Sequence, residues 1–244
     1  MKTKIGLLAM ILAVMASSAC KKDTQDSTTS SLGLKIQALN KNVSLPVQAS
    51  GLKSTSATAT VVWDTAYMLV SRIKFAAEME SIVTHHDSIE IEYSWRGPLT
   101  MNLFDLNATI GSIVLPVGTY EKISLKVNSE KEDANGQPLF YLSGIYTNEA
   151  GTVLPIVVSV SDPVSFKTEQ KNDTIISGGT SDFTSTIQLY LDQLLLQVDP
   201  AALDNAELTN GVLVISATSN KDLYEIILQN LRKDHHCEHG HHHH

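Results

Sequence analysis

The segment Leu115–Val127 constrains the fold of this chain more than any other. It opens with a turn, in which Pro116 fixes its own φ angle and Gly118 is free to adopt the positive φ that many tight turns need. The following side chains alternate between apolar Ile123, Leu125 and Val127 and polar Lys122, Ser124 and Lys126. This period of two is that of a β-strand with one buried and one solvent-facing side. The segment therefore predicts a β fold in which a second layer covers the apolar side.

Segments with β-strand character recur along the chain, separated by turn residues at intervals of about 8–12 residues. They are Leu32–Leu39, Thr58–Met79, Ile89–Trp95, Leu99–Leu106, Ile110–Leu115, Pro138–Thr147, Val153–Ser161, Val164–Glu169, Phe183–Leu191 and Val212–Ile215. The chain is 43% hydrophobic, which suffices for a large core. We predict a mostly β fold, an antiparallel Greek-key-like β-sandwich of about nine or ten strands with one C-terminal α-helix.

Two of these segments carry more detailed expectations. In the long run Thr58–Met79, strict alternation predicts one face with Tyr67, Leu69, Ser71, Ile73 and Phe75 and another with Met68, Val70, Arg72 and Lys74. After Val127, the polar residues Asn128–Gln137 contain an Asn135-Gly136 pair, which is typical of a hairpin turn.

The C-terminal part of the domain has helical periodicity. Residues Ser219–Arg232 carry an apolar stripe formed by Leu223, Ile226, Ile227 and Leu231, which predicts a helix packed on the sheet. Ser219 and Asp222 have the spacing of a capping box, with Asp in the place of Glu.

The N-terminus has the composition of an export signal. Lys2 and Lys4 precede the apolar run Ile5–Ala16, whose length of about 12 residues is too short to span a bilayer. Ser17-Ser18-Ala19-Cys20 resembles a bacterial lipobox, in which Cys20 is lipidated and becomes the new N-terminus. The alternative is ordinary secretory cleavage after Ala19.

These features divide the chain into four parts. Residues 1–19 are a predicted lipoprotein signal peptide and residues 20–31 a polar, disordered tether. Residues 32–232 form the β-sandwich domain, and residues 233–244 a disordered His-rich tail. Lys21-Lys22-Asp23 resembles the tag of surface-exposed lipoproteins in Bacteroidetes. The predicted location is therefore the cell envelope, as an outer membrane lipoprotein that is periplasmic or surface-exposed.

The charge of the chain bears on its partners, and the position of its cysteines bears on disulfide bonds. The formal net charge is −8, and without residues 1–19 the chain has 16 basic and 26 acidic residues, a net charge of −10. No basic run follows Lys21-Lys22, so we disfavour nucleic acid and anionic lipid headgroups as the main partners. The two cysteines, Cys20 and Cys237, lie outside the predicted core, which excludes a disulfide framework for the fold.

The order of segments is similar to an uncharacterised family of Bacteroidetes envelope lipoproteins, the DUF4382 type. The resemblance is carried by the strand Tyr67–Phe75, the segment Leu103–Leu106 and the Leu115-Pro-Val-Gly-Thr-Tyr turn with its strand. Leu189–Asp199 and Gly211–Asn220 resemble the closing portion of related surface lipoproteins. The family implies a β-sandwich on the cell envelope and no catalytic residues. Asp26-Ser27-Thr28, Asp64-Thr65-Ala66, Asp87-Ser88-Ile89 and Asp173-Thr174-Ile175 resemble the O-glycan acceptor sequence of Bacteroidetes.

The tail is rich in good ligands for zinc, copper and nickel. They are His235, His236, Cys237, His239, His241, His242, His243 and His244. A flexible cluster of this kind is expected to bind such ions at micromolar levels or tighter, on the order of magnitude that thiolate and imidazole coordination gives. Two alternatives are a truncated expression tag and a solvated tail with adventitious affinity.

Three further groups are candidates for chemistry. His85-His86-Asp87 has the residue types of an acid–base or metal site, but adjacent residues on a strand face opposite ways, which favours a polar turn. The acidic loop Glu130–Asp133 lacks the oxygen spacing of an EF-hand. The aromatic residues Trp63, Tyr67, Tyr93 and Trp95 could form a sugar-binding platform, although alternation with core positions favours core packing.

No HExxH motif, phosphate-binding loop or nucleophile elbow is present in the sequence, and we predict a protein that is not an enzyme and needs no cofactor. The first hypothesis is a lipid-anchored envelope protein with a binding or structural role toward an unknown glycan or protein. The second is an envelope protein that binds divalent transition metals with its tail.

Overall fold

The computed structural model describes residues 29–45, 58–80, 88–171, 173–176 and 183–233. The predicted signal peptide, Cys20, the residues His85-His86-Asp87 and the His-rich tail lie outside these ranges. The strands are β1 (Thr29–Leu39), β2 (Asn42–Leu45), β3 (Ala59–Glu80), β4 (Ser88–Asn102), β5 (Gly111–Pro116), β6 (Gly118–Ser129), β7 (Phe140–Thr147), β8 (Val153–Val160), β9 (Val164–Gln170), β10 (Thr174–Ile176), β11 (Phe183–Tyr190), β12 (Leu208–Thr209) and β13 (Val212–Ser216). The α-helices are α1 (Leu191–Leu194), α2 (Pro200–Asp204) and α3 (Lys221–Arg232), and Lys131–Asp133 forms a 3₁₀ turn.

The strands form two sheets that share one hydrophobic core. In the small sheet, β1 lies between β11 and β5. The large sheet has the order β10-β6-β3-β7-β8-β13-β12, with β2 and β4 also paired to β3 and with β9 paired to β6. Buried side chains of both sheets, such as Ile36 and Phe75, belong to the same cluster. The predicted mostly β fold with a C-terminal helix is confirmed. Pairing is antiparallel except between β1 and β11 and between β8 and β13.

Strand β3 organises the large sheet because it has different neighbours along its length. Its first half pairs with β2 on one edge and β7 on the other. Its second half pairs with β4 and β6. The register shifts at three places, between Trp63 and Thr65, between Val70 and Arg72 and between Glu78 and Met79. Each of these irregularities has the effect of a β-bulge, which bends the strand and changes the face on which later residues lie.

Several side chains of β3 do not lie on the face that strict alternation predicts for them. Met68 and Val70 are buried in the main core together with Ile73 and Phe75, whereas strict alternation places them on opposite faces. Leu69 instead joins Ala134 and Leu139 in a separate small cluster on the other side of the sheet. The expected alternation fails because the register shifts between Val70 and Arg72, where Gly97 and Pro98 of β4 lie opposite Ser71 alone, and later residues of β3 lie on the other face.

The connection after β6 is also different from the predicted hairpin. Strands β6 and β7 do not pair with each other but occupy successive parts of β3. The residues between them cross the second irregularity of β3, where the Glu130 amide donates to Ser71 Oγ at 2.8 Å. Asn135 and Gly136 do form a turn with positive φ angles of 46° and 83°. The local turn was therefore predictable, whereas the long-range pairing was not.

The alternation in Leu115–Val127 is confirmed. Ile123, Leu125 and Val127 are buried, and the polar side chains between them face away from the core. Tyr120 is fully buried, and its hydroxyl donates to the Pro116 carbonyl at 2.7 Å. Gly118 does not have positive φ. An added Cβ at this position would lie 2.9 Å from the sulfur of Met79, a flexible side chain.

The predicted C-terminal helix is present as α3, and its apolar side packs on the sheet. Leu223, Ile227 and Leu231 are buried and Ile226 is partly buried. The predicted capping box is wrong, because the helix begins after Asn220, which has a left-handed conformation and makes no side-chain cap. Ser219 donates its amide to Ser216 Oγ instead. In the part of the chain that the structure describes, no helix is both long and apolar enough to cross a membrane.

Candidate ligand-binding groove

Three lysines from three different strands lie in one row on the solvent-facing side of the large sheet. The register pairs Lys74 of β3 with Lys126 of β6, and Lys126 with Lys167 of β9. All three are exposed. Directly opposed residues on antiparallel strands have Cβ atoms about 4.5–5.5 Å apart, and like charges at that spacing destabilise the sheet. The row therefore concentrates positive charge on a protein that is acidic overall.

A shallow groove of about 230 Å³ lies beside this row. The sheet places Glu92, Ala76, Ser124 and Glu169 side by side in the row that follows the lysines. Because Ala76 and Ser124 are small, the centre of this row is low and its two ends are raised by carboxylates. Glu90, Glu78 and Lys122 form the next row and close the groove on its far side.

Ion pairs fix several of the charged groups around the groove. Lys122 Nζ lies 2.9 Å from Glu78 Oε1, and this hydrogen bond is the main reason that the pKa of Lys122 is raised. Hydrogen bonds from Lys167 and Lys171, at 2.5 Å and 3.1 Å, lower the pKa of Glu169 to about 2. Glu169 is therefore ionised at any physiological pH.

Other charged groups, two in the groove and two in the adjacent lysine row, have no such partner among the described residues. Within the ranges that the structure covers, Lys74, Lys126, Glu90 and Glu92 make no ion pair. The lysines can accept an anionic group, and the carboxylates can accept hydrogen bonds from hydroxyl groups. The arrangement therefore suits a polar ligand that carries a negative charge next to hydroxyl groups.

The aromatic residues considered for sugar binding do not form one platform. Trp63 is 1% exposed and belongs to the core, as alternation favours. Tyr67 stacks on Tyr141 with ring centroids 4.8 Å apart. Tyr93 and Trp95 are 43% and 41% exposed on β4, so the expectation of core packing fails for these two.

The other predicted site residues have the following positions. Cys20 and the tail ligands lie outside the described residues, as do His85, His86 and Asp87, so metal binding by the tail and lipidation at Cys20 stay predictions. Glu130 binds Arg72 at 3.3 Å and helps to hold the β6–β7 connection in place. Among the residues with described positions, no group of three or more His, Cys, Asp and Glu side chains is arranged to hold a metal ion.

Three of the candidate O-glycan acceptors can be placed in the sheet. Thr65 at the first irregularity of β3 and Ser88 at the start of β4 are exposed, whereas Thr174 in β10 is only 8% exposed. Asp26-Ser27-Thr28 and Asp87 are outside the described ranges.

The lysine row was missed in the sequence, because its members are separated by 52 and 41 positions along the chain. In the sequence, each lysine looks like a single polar residue of a strand with one solvent-facing side. Only the register of three neighbouring strands brings them together, and no local pattern reports that register. Comparisons of the chain with protein families, with curated proteins and with solved structures find no match.

Proposed function

We propose that this protein is a non-catalytic binding module of the cell envelope, anchored by an acyl group on Cys20, whose groove binds an acidic glycan. The observation that carries the proposal is the row formed by Lys74, Lys126 and Lys167 beside the groove. Lys167 is already paired with Glu169, whereas Lys74 and Lys126 lie opposite each other and make no ion pair among the described residues. Two opposed like charges cost stability unless an anion neutralises them, so a ligand with a carboxylate or sulfate group is favoured.

The carboxylates around the groove argue for a sparsely charged ligand. Glu78, Glu90, Glu92 and Glu169 all line it. A densely charged polyanion such as nucleic acid would meet repulsion from these four groups. A glycan with one acidic group per sugar or fewer places its charge on the lysines, and its hydroxyls donate to Glu92.

Binding of polygalacturonate, compared with neutral dextran, tests the proposal. We expect binding to the acidic polymer that weakens as salt is added, because exposed charges are screened. Lys126→Glu should weaken binding by about tenfold or more, since a charge-assisted hydrogen bond contributes roughly 1.5–3 kcal/mol. Lys131→Glu changes the net charge equally at an exposed site away from the groove and should leave the affinity within about twofold. Equal effects of the two variants would contradict the proposal.

The stability of a second variant shows whether the lysine row supports the fold or is available for ligand binding. Lys126→Ala removes the central charge of the row, so we expect the free energy of unfolding to stay the same or to rise by about 0.2–1 kcal/mol. Urea unfolding measures this change. A clear loss of stability would mean that the row supports the fold.

The envelope location has its own test. Cys20→Ser should move the protein from the membrane fraction to the soluble fraction of lysed cells, because the acyl chain is the anchor. Protease added to intact cells then distinguishes surface exposure from a periplasmic location.

A further inference from the structure

Strand β4 has one long edge that pairs with no other strand among the described residues. It contains 15 residues, and among the described residues its only strand partner is β3. The backbone groups on its outer edge are therefore available to another extended chain, as in proteins that bind by strand addition. Natural edge strands are commonly blunted by lysines, prolines or bulges. The segment from Ile89 to Arg96 contains no lysine and no proline.

The side chains of this edge are apolar on one face. Ile89, Tyr93 and Trp95 are 45%, 43% and 41% exposed, and Ile91 is only partly buried. They extend the core face of β3, since they lie opposite its buried residues Met79, Phe75, Ile73 and Ala77. Exposed aromatic and aliphatic side chains in one row are typical of a surface that another protein covers.

Two charged residues on the opposite face of β4, Arg96 and Glu90, form no ion pair within the described residues. Arg96 lies opposite Arg72, whose guanidinium group binds Glu130 at 3.3 Å. Glu90 lies opposite Glu78, whose carboxylate binds Lys122 at 2.9 Å. Arg96 and Glu90 therefore each face a like charge on β3, and neither forms an ion pair with another residue in the described ranges.

These two residues are complementary in a two-fold antiparallel arrangement. If the β4 strands of two copies pair around Tyr93, Glu92 lies opposite Ser94, Ile91 opposite Trp95 and Glu90 opposite Arg96. Both copies contribute the same contacts, as a two-fold interface requires. In this pairing, two Glu90–Arg96 ion pairs form, one at each end. The apolar side chains of the two β4 strands then lie next to each other.

We propose that the unpaired edge of β4 binds the same edge of a second copy of this chain, so that the two large sheets become one continuous sheet. The two-fold axis of antiparallel strands is perpendicular to the sheet, and both grooves then open on the same side. Self-association is favoured over a different protein partner because the required charges, Glu90 and Arg96, are both present on one strand at matching distances from its centre.

The oligomeric state of the mature chain with Cys20→Ser, measured by light scattering during gel filtration under reducing conditions, tests this proposal. We expect a dimer. Arg96→Glu places two carboxylates opposite each other at both ends of the pairing, and Glu90→Arg places two guanidinium groups there. Each single variant should therefore raise the dimer dissociation constant by about tenfold or more. Lys131→Glu, on an exposed turn, is the control and should leave it unchanged.

Mixing the two single variants provides the decisive measurement. The Arg96→Glu chain then meets the Glu90→Arg chain with opposite charges at both positions, so the equimolar mixture should form heterodimers. The double variant in one chain should also dimerise. A monomeric wild type, or a dimer that none of these charge changes affects, would overturn the proposal. Both substituted positions are exposed, so all variants are expected to fold.

Discussion

At the scale of single residues, Gly144 has the most specific role in this fold. It lies in β7 opposite Trp63, where the register of β3 shifts. A Cβ atom added to Gly144 would lie 2.1 Å from the Val62 carbonyl oxygen and 2.8 Å from the Trp63 Cα. These are backbone atoms of a paired strand and cannot rotate away. Only glycine allows β7 to approach the irregular part of β3 this closely.

We predict that Gly144→Ala lowers the free energy of unfolding by about 2–3 kcal/mol, because the strands must separate to admit the methyl group. Urea denaturation measures the change. Gly136→Ala is the matched control. It has a φ of 83° and no neighbouring atom within 4 Å, so it should cost only about 1 kcal/mol, the strain of a left-handed alanine. An equal cost for both substitutions would show that close approach is not the reason for Gly144.

At the scale of elements, the sequence predicted most of the strands but not how they pair. The predicted strands Ile89–Trp95 and Leu99–Leu106 are one strand that ends at Asn102. Alternation in Ile123, Leu125 and Val127 predicted their burial correctly, because burial on one face follows from the local period. The register shifts of β3 have no comparable signal within β3 itself. The residues around Ser71 differ little from those of a regular strand, and Ser129 and Glu130 contact them from about 60 positions away. Gly97 and Pro98 of β4, which lie opposite Ser71, are residues that typically interrupt a strand, but they do not report where this interruption meets β3.

Helix α3 shows a second interaction that periodicity does not reveal. Asn230 is 1% exposed, although asparagine is usually a surface residue. Its side-chain amide donates to the carbonyl groups of Leu194 and Leu196, at 3.1 Å and 2.6 Å. It thereby satisfies backbone acceptors at the end of α1 and joins the two helices.

We predict that Asn230→Ala lowers the free energy of unfolding by about 1–3 kcal/mol, because the buried carbonyl of Leu194 loses its donor and a small cavity forms. Gln229→Ala, on the exposed side of the same helix, should change it by less than about 0.5 kcal/mol. Thermal or urea unfolding of the two variants compares them. A similar effect at both positions would assign the loss to helix propensity.

At the scale of the whole molecule, the two sheets place several tyrosine side chains in the interior. Burial is the main reason that the pKa values of Tyr120 and Tyr224 rise to about 12, and that of Tyr146 also rises. Hydrogen bonds to Asp162 and Asp204 add to the effect at Tyr224 and Tyr146. All three lie at junctions of the fold, where a strand meets a turn or a helix.

This burial predicts the response of the protein to alkaline pH. A tyrosine whose pKa is raised by folding stabilises the native state fully below the unfolded-state pKa of about 10. That contribution is lost as the pH rises from about 10 through 12, since the unfolded chain releases its protons first. We therefore expect the urea midpoint to fall steeply above pH 10. Circular dichroism follows the fold, and ultraviolet absorbance follows tyrosinate formation.

Tyr120→Phe provides the control for this prediction. It removes the hydrogen bond to Pro116, so stability at neutral pH should fall by about 1 kcal/mol. It also removes one of the titrating groups, so the loss of stability above pH 10 should be less steep than in the wild type. If these tyrosines ionise near pH 10 while the circular dichroism spectrum stays native, their hydroxyl groups are accessible to solvent and the predicted link between burial and alkaline stability is wrong.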